Sequence, residues 1–205
     1  ESGLERMPQK FGVAGYLSWM AIPKGRRPVV RNYTVRDHRP GEIDIDFVVH
    51  GSEGVAGPWA ARAEPGERVA LIDQGCGWRG LAADWNLLVA DESGLPAVLG
   101  ILRDMPRDAT GHAIIELFDE RDRQDVEAPA GVTVEWLVRE AAAPPGSAAL
   151  PALRAFDGPA GTPYAFAVGE QSLAAEARRH LVRDRGVPKT QVTFSGYWRR
   201  GRAAA

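Results

Sequence analysis

The chain has 205 residues, a formal net charge of −2, 44% hydrophobic and 25% charged residues. That balance excludes a disordered chain, and the near-neutral charge argues against a general nucleic-acid or membrane surface, so any attraction for an anion has to be local. No apolar run approaches the ~20 residues that span a bilayer, residues 1–10 do not read as a signal peptide, and the single cysteine, Cys76, can form neither an internal disulfide nor a cluster; a cytoplasmic monomer is expected.

The first half reads as β structure. Residues 27–36 form one extended segment, 42–50 a strand solvated at its start and buried at its end, and 68–73 a third. Arg39-Pro40-Gly41 and Pro65-Gly66-Glu67 mark the turns, and residues 59–63 look helical. From Asp84 the pattern changes. Apolar strands at 85–90, 112–118, 132–138, 164–168 and 191–195 alternate with helices at 95–105 and 172–185, and a short helix falls near 150–156. Strands alternating with helices mean βαβ units and a parallel sheet. The expected fold is therefore α+β in two domains: an antiparallel β-barrel over residues 1–80 and a small α/β domain over 81–205. Residues 1–80 supply fewer strands than a six-stranded barrel takes.

Four constellations carry chemistry. Arg31-Asn32-Tyr33-Thr34-Val35-Arg36 is either an edge strand or a flavin cradle, in which Tyr33 packs on the ring system, Thr34 hydrogen-bonds its edge and Arg31 clamps a phosphate. His50-Gly51-Ser52-Glu53-Gly54-Val55-Ala56-Gly57-Pro58-Trp59 is a glycine-rich loop opening a helix, suited to pyrophosphate or merely turning the chain. Asp91-Glu92-Ser93-Gly94 ends the first α/β strand, where open parallel sheets bind ligands, and is not the GxGxxG fingerprint; the plainer reading is a helix cap. Val168-Gly169-Glu170 ends a later strand, and Gly196-Tyr197-Trp198-Arg199-Arg200-Gly201-Arg202 closes the chain as a basic, aromatic segment.

In this order the motifs Arg-x-Tyr-Thr, His-Gly into Trp-Ala, Asp-Glu-Ser-Gly-Leu-Pro-Ala, Gly-Glu and Gly-Tyr-Trp-Arg-Arg-Gly resemble the siderophore-interacting flavoproteins of the ferredoxin-reductase superfamily. The resemblance spans nearly the whole chain from Val29, and it departs at Val55, where a proline is common. It implies a flavin barrel joined to a nicotinamide-binding domain, with FAD and NAD(P)H as cofactors and a ferric siderophore as substrate. Implied cofactor contacts are Arg31, Tyr33, Thr34, Val48, Val49, His50, Gly54, Val55, Ala56, Gly57, Trp59, Asp91, Glu92, Ser93, Gly94, Gly169 and Glu170.

Reduction loosens a chelate built from hard oxygen donors, so the protein need not ligate iron. The four histidines, His38, His50, His112 and His180, have no metal-ligand spacing. No general acid–base residue is expected, because the hard chemistry belongs to the flavin. Arg139, at the end of the third α/β strand, is a candidate for a 2′-phosphate or an ordinary surface arginine. Lys24, Arg26, Lys189, Arg199 and Arg200, with Trp198 as an apolar wall, are the expected substrate mouth. Two alternatives remain: ferredoxin as electron donor, or a flavin-containing siderophore-binding protein with little turnover.

Overall fold

The computed structural model describes residues 3–49 and 54–201. Contacts divide the chain into two compact units, one built from Glu1–Arg31 and Val49–Gly77, the other from Asn32–Val48 and Trp78–Ala204.

In the first unit the described regular elements are two helices, α1 (Val13–Met20) and α2 (Ala56–Ala60), with short 3₁₀ turns at Gly3–Arg6 and Lys24–Arg26. Trp19 anchors α1: its ring is buried, its indole N–H donates to the Pro28 carbonyl at 2.9 Å, and the Arg27 guanidinium lies 5.0 Å from the ring centre. Such a contact joins apolar burial to a cation–π attraction.

The second unit begins with a two-stranded antiparallel ribbon, β1 (Val35–Arg39) and β2 (Glu42–Ile45). Gly41, at φ +83°, makes the turn the Pro-Gly pair announces. Cross-strand ion pairs hold the ribbon: Arg36 to Asp44 at 3.2 Å and Arg39 to Asp44 at 3.0 Å.

The core of this unit is a parallel sheet in the order β5-β4-β3-β6-β7, formed by β3 (Trp85–Ala90), β4 (Thr110–Leu117), β5 (Gly131–Val138), β6 (Pro163–Glu170) and β7 (Val192–Trp198). Helix α3 (Leu95–Asp104) crosses from β3 to β4, α4 (Ala149–Ala155) precedes β6, and α5 (Gln171–Arg179) crosses to β7. Alternation along β3 feeds both faces. Leu87 and Val89 pack with Leu153 of α4 and Leu173 of α5, while Leu88 and Ala90 pack with Val98 and Leu102 of α3. Burial on both faces is why these strands read as near-continuous apolar runs. Arg103 of α3 also donates to the Arg36 carbonyl at 3.3 Å, which seats the ribbon against that helix.

The parallel sheet and its helices follow the sequence reading, with bounds moved by a few residues. A closed barrel is not shown: among the described residues antiparallel pairing is confined to β1 and β2. Residues 27–34 and 68–73 belong to no helix or strand, and 46–49 leave the strand with Val49 57% exposed rather than buried. Strand propensity alone does not hold a segment that has no neighbour to pair with. The helix expected at 59–63 instead spans Ala56–Ala60.

Leu88 sits in the central strand and is 1% exposed. Leu88→Ala is expected to lower the unfolding free energy by about 2–5 kcal/mol, read as a shifted denaturation midpoint with an unchanged slope.

Candidate functional site at the carboxyl ends of the strands

Strand order reverses around β3, which has β4 on one side and β6 on the other. In open parallel sheets the crevice at the carboxyl ends of such a pair is where ligands bind. Here the residue after β3 and the last residues of β6 meet across that point. Asp91 is fully buried. Its Oδ1 accepts from the Ser93 backbone N–H at 2.9 Å and the Ser93 hydroxyl at 2.5 Å, and its Oδ2 accepts from the Glu170 N–H at 2.6 Å.

Two glycines make the approach possible. Gly169 has φ +129°, and a Cβ there would lie 2.6 Å from the Asp91 carboxyl. A Cβ on Gly94 would lie 2.8 Å from Val168 Cγ2. Both positions exclude a side chain, Gly169 by backbone conformation as well. The cap of α3 falls on Gly94, which makes no side-chain cap bond. Asp91 is thus a strand-to-strand tie rather than the helix cap considered from the sequence.

Glu170 carries the tie outward. Its Oε2 accepts from the Ser172 N–H at 2.5 Å, capping α5, and its Oε1 accepts from the Arg200 N–H at 3.1 Å. The basic tail after β7 is thereby fixed to the switch point. Burial pushes the Asp91 carboxyl above its ordinary 3.8, against the Ser93 hydroxyl bond and with the help of the neighbouring Glu92 charge. Burial also pushes Glu170 upward, but the N–H groups of Arg200 and Ser172 outweigh it, and Glu170 ends below its ordinary 4.5.

A second buried cluster lies one and two strands away. Arg139 makes a two-pronged pair with Glu92, at 2.6 Å on each arm, and reaches Glu116 at 3.3 Å. Glu116 is fully buried in β4, and its two oxygens accept from the N–H groups of Gly146, Ala148 and Ala149 at 2.7–2.8 Å, gathering the start of α4. Burial opposes the Arg139 charge, yet the Glu92 carboxylate holds it more firmly protonated than usual. Arg139 is therefore not a surface arginine; its Nη1 and Nη2 pair with Glu92 and Glu116, and its Nε has no partner among the described residues. The sequence reading missed Glu116. Its signal is a lone acid inside the run Ile114-Ile115-Glu116-Leu117, which a buried strand tolerates only with partners.

The flavin-cradle residues divide between the units. In the second, Tyr33 is 43% exposed with its ring 4.5 Å from Phe47, Thr34 is half-buried, and Val48 is exposed. Tyr33 and Thr34 precede β1 rather than lying in it. In the first unit, Arg31 donates to the Val30 carbonyl at 2.7 Å, Val49 is exposed, and Gly54 turns at φ +83° into Val55 and then α2, which holds Ala56, Gly57 and Trp59. His50 lies outside the described residues. Within the second unit Tyr33 offers a half-exposed aromatic ring and Thr34 a hydroxyl, groups of the kind a flavin ring takes, and elsewhere in that unit the Trp198 indole N–H is buried without an acceptor among the described residues.

Lys24 and Arg26 are exposed on the 3₁₀ turn of the first unit, and Arg199 and Arg200 are exposed beyond β7. Lys189 does not join Arg199 and Arg200. It sits before the amino end of β7, roughly 20 Å away along a strand rising about 3.3 Å per residue.

The fold and site define a two-unit protein with a doubly wound parallel domain. The siderophore-interacting protein family matches residues 83–201, and its siderophore-interacting FAD-binding domain matches residues 1–77. The chain belongs to this family. Among its relatives, the ferric vibriobactin reductase ViuB of Vibrio cholerae is 36% identical over 86% of this chain and 66% of its own length. The NADPH-dependent ferric-chelate reductase of Escherichia coli is 30% identical over 86% of this chain and 68% of its own. The crystal structure of the siderophore-interacting protein SipS from Aeromonas hydrophila superposes with a TM-score of 0.73 at 32% identity, covering 87% of this chain and 76% of that one.

Two outcomes follow from the buried ties. Arg139→Ala leaves Glu116 and Glu92 without their cation and is expected to cost about 3–5 kcal/mol in a chemical denaturation. Carboxyl-carbon NMR titration should place the Asp91 midpoint above 3.8 and that of Glu170 below 4.5. The stability tied to Asp91 is then complete at low pH and falls as pH rises from 3.8 through the higher folded midpoint. That tied to Glu170 is complete above 4.5 and falls as pH drops through the lower folded midpoint.

Proposed function

We propose that the protein reduces siderophore-bound ferric iron, using FAD and electrons from NADPH. The observation that carries this reading is the ordered set of family motifs, two of which, Asp91 to Gly94 and Gly169-Glu170, meet at the switch point of the parallel sheet. The names of ViuB and of the E. coli reductase support the reaction class, and the latter supports NADPH as donor.

FAD, when bound, supplies the exchange between two-electron donors and one-electron acceptors. In this reading Tyr33 provides an aromatic face, Thr34 a hydroxyl for the ring edge, and Arg31 with the backbone at 54–57 the charge and N–H groups for phosphates. Asp91 and Glu170 act through the backbone: they hold the strand tips and the tail in register and touch no substrate. The exposed cations Lys24, Arg26, Arg199 and Arg200 attract an anionic ferric siderophore, raising encounter rates by ~10-fold or more at low salt.

Anaerobic mixing of photoreduced, FAD-loaded protein with a ferric siderophore tests the reaction. Stoichiometric reoxidation of the flavin supports it; a flavin that stays reduced while the siderophore binds overturns it in favour of binding without turnover. Steady-state oxidation of NADPH and NADH tests the donor, and no turnover with either directs attention to ferredoxin. Reduction of an anionic ferric siderophore should slow with ionic strength while a neutral one barely changes. Arg199→Glu with Arg200→Glu should raise the apparent substrate constant without releasing FAD.

A further inference from the structure

The carboxyl ends of β4 and β5 carry a second group of side chains beside the Asp91 tie. Phe118, the first residue after β4, is 47% exposed although apolar. Arg139, the first residue after β5, braces it: the guanidinium carbon lies 5.4 Å from the ring centre, and the Arg139 backbone N–H donates to the Leu117 carbonyl at 3.1 Å. An aromatic ring braced by a cation and still open to solvent is a platform on which a flat base can stack.

A charged pair follows the ring. Asp119 accepts from the Arg121 backbone N–H at 2.9 Å and from its guanidinium, through Nε at 2.9 Å and Nη2 at 2.5 Å. The guanidinium, and then the backbone N–H, hold the Asp119 carboxyl down at about 2, so it is ionised at neutral pH. The Arg121 side chain is nevertheless 89% exposed. Exposed pairs of this kind add little to stability and exchange partners readily. The other arginine here, Arg139, has a side chain 5% exposed and is paired with Glu92 and Glu116, a cluster far more costly to break.

In doubly wound domains an acid about 20 residues past the first strand-to-helix turn hydrogen-bonds the ribose hydroxyls of a dinucleotide, and an arginine nearby accommodates a 2′-phosphate. Here β3 and β4 are the first two strands of the parallel sheet, and Asp119 and Arg121 follow the second of them.

We propose that Phe118 carries the adenine of the donor nucleotide and that Asp119 and Arg121 read its ribose, Arg121 drawing in a 2′-phosphate and Asp119 opposing it. This assignment rests on the reading of a pyridine nucleotide as electron donor. It makes Arg121, rather than Arg139, the residue that separates NADPH from NADH.

Titration of the full chain with 2′,5′-ADP and with 5′-AMP, followed by amide shifts in NMR spectra, tests the site without flavin, hydride or iron. 2′,5′-ADP is expected to bind more tightly, and Phe118→Ala to weaken both by roughly tenfold without changing their ratio. Arg121→Gln should move the ratio of the two dissociation constants at least about tenfold towards 5′-AMP, and Asp119→Asn should move it the other way. Variants that leave the ratio unchanged, or that move it in one direction, overturn the ribose assignment. A Phe118→Ala chain that binds both nucleotides as tightly as the unaltered chain overturns the platform. If neither nucleotide binds the unaltered chain, the pyridine-nucleotide donor itself falls, and this site falls with it.

Discussion

A carboxylate taken out of water between two strand tips is the constraint on which the carboxyl-end pole of the parallel domain rests. Asp91 reaches from the end of β3 to the backbone N–H of Glu170 at the end of β6, 79 residues later in the chain. The bond closes the switch point of the sheet, where a doubly wound domain otherwise leaves an open crevice. Desolvating the carboxyl is costly, and three hydrogen bonds offset it. Gly169 is bound to the same requirement, since any Cβ there would press on that carboxyl. Glu170 then passes the order on by capping α5 and holding the backbone of Arg200.

The Glu92–Arg139–Glu116 cluster does comparable work on the other side of β3. Buried ion pairs seldom add net stability over an apolar packing of the same volume; removing one partner is what costs. Here the cluster has a geometric consequence. It joins the turn after β3 to the end of β5, and through Glu116 gathers the N–H groups of Gly146, Ala148 and Ala149 at the start of α4. The segment before α4 is rich in alanine and proline and has little side-chain chemistry of its own, so a buried acid from β4 supplies the acceptors it lacks.

The two poles of the parallel domain differ in kind. At the carboxyl ends, buried acids accept from backbone N–H groups and leave the exposed cations Arg199 and Arg200 just beyond them. At the amino ends, a cavity of about 210 Å³ is lined by His180 and Arg185 as well as by Leu87 and Leu153. Lys189, a basic residue near the tail in sequence, belongs to the second pole because one full strand separates it from Arg199.

The parallel domain was legible in the chain because its strands are buried on both faces and its helices are amphipathic, so periodicity carried the assignment for β3, β4, β5, β6, α3 and α5. The family was legible in motif order, since each motif is a short local pattern. The pairing of extended segments in the first half was not legible: residues 27–34 and 68–73 have strand composition, but a strand exists only where a neighbour completes its ladder. Nor were the roles of the motif residues. The sequence offered Asp91 as a helix cap or a ligand contact, and the structure adds its tie from β3 to β6; it offered Arg139 as a phosphate ligand or a surface charge, and the structure buries it between two acids. Sequence alone determined which residues are polar and where the regular elements begin. Only the tertiary structure decided which polar groups met, because a buried charge takes its role from partners that lie dozens of residues away in the chain.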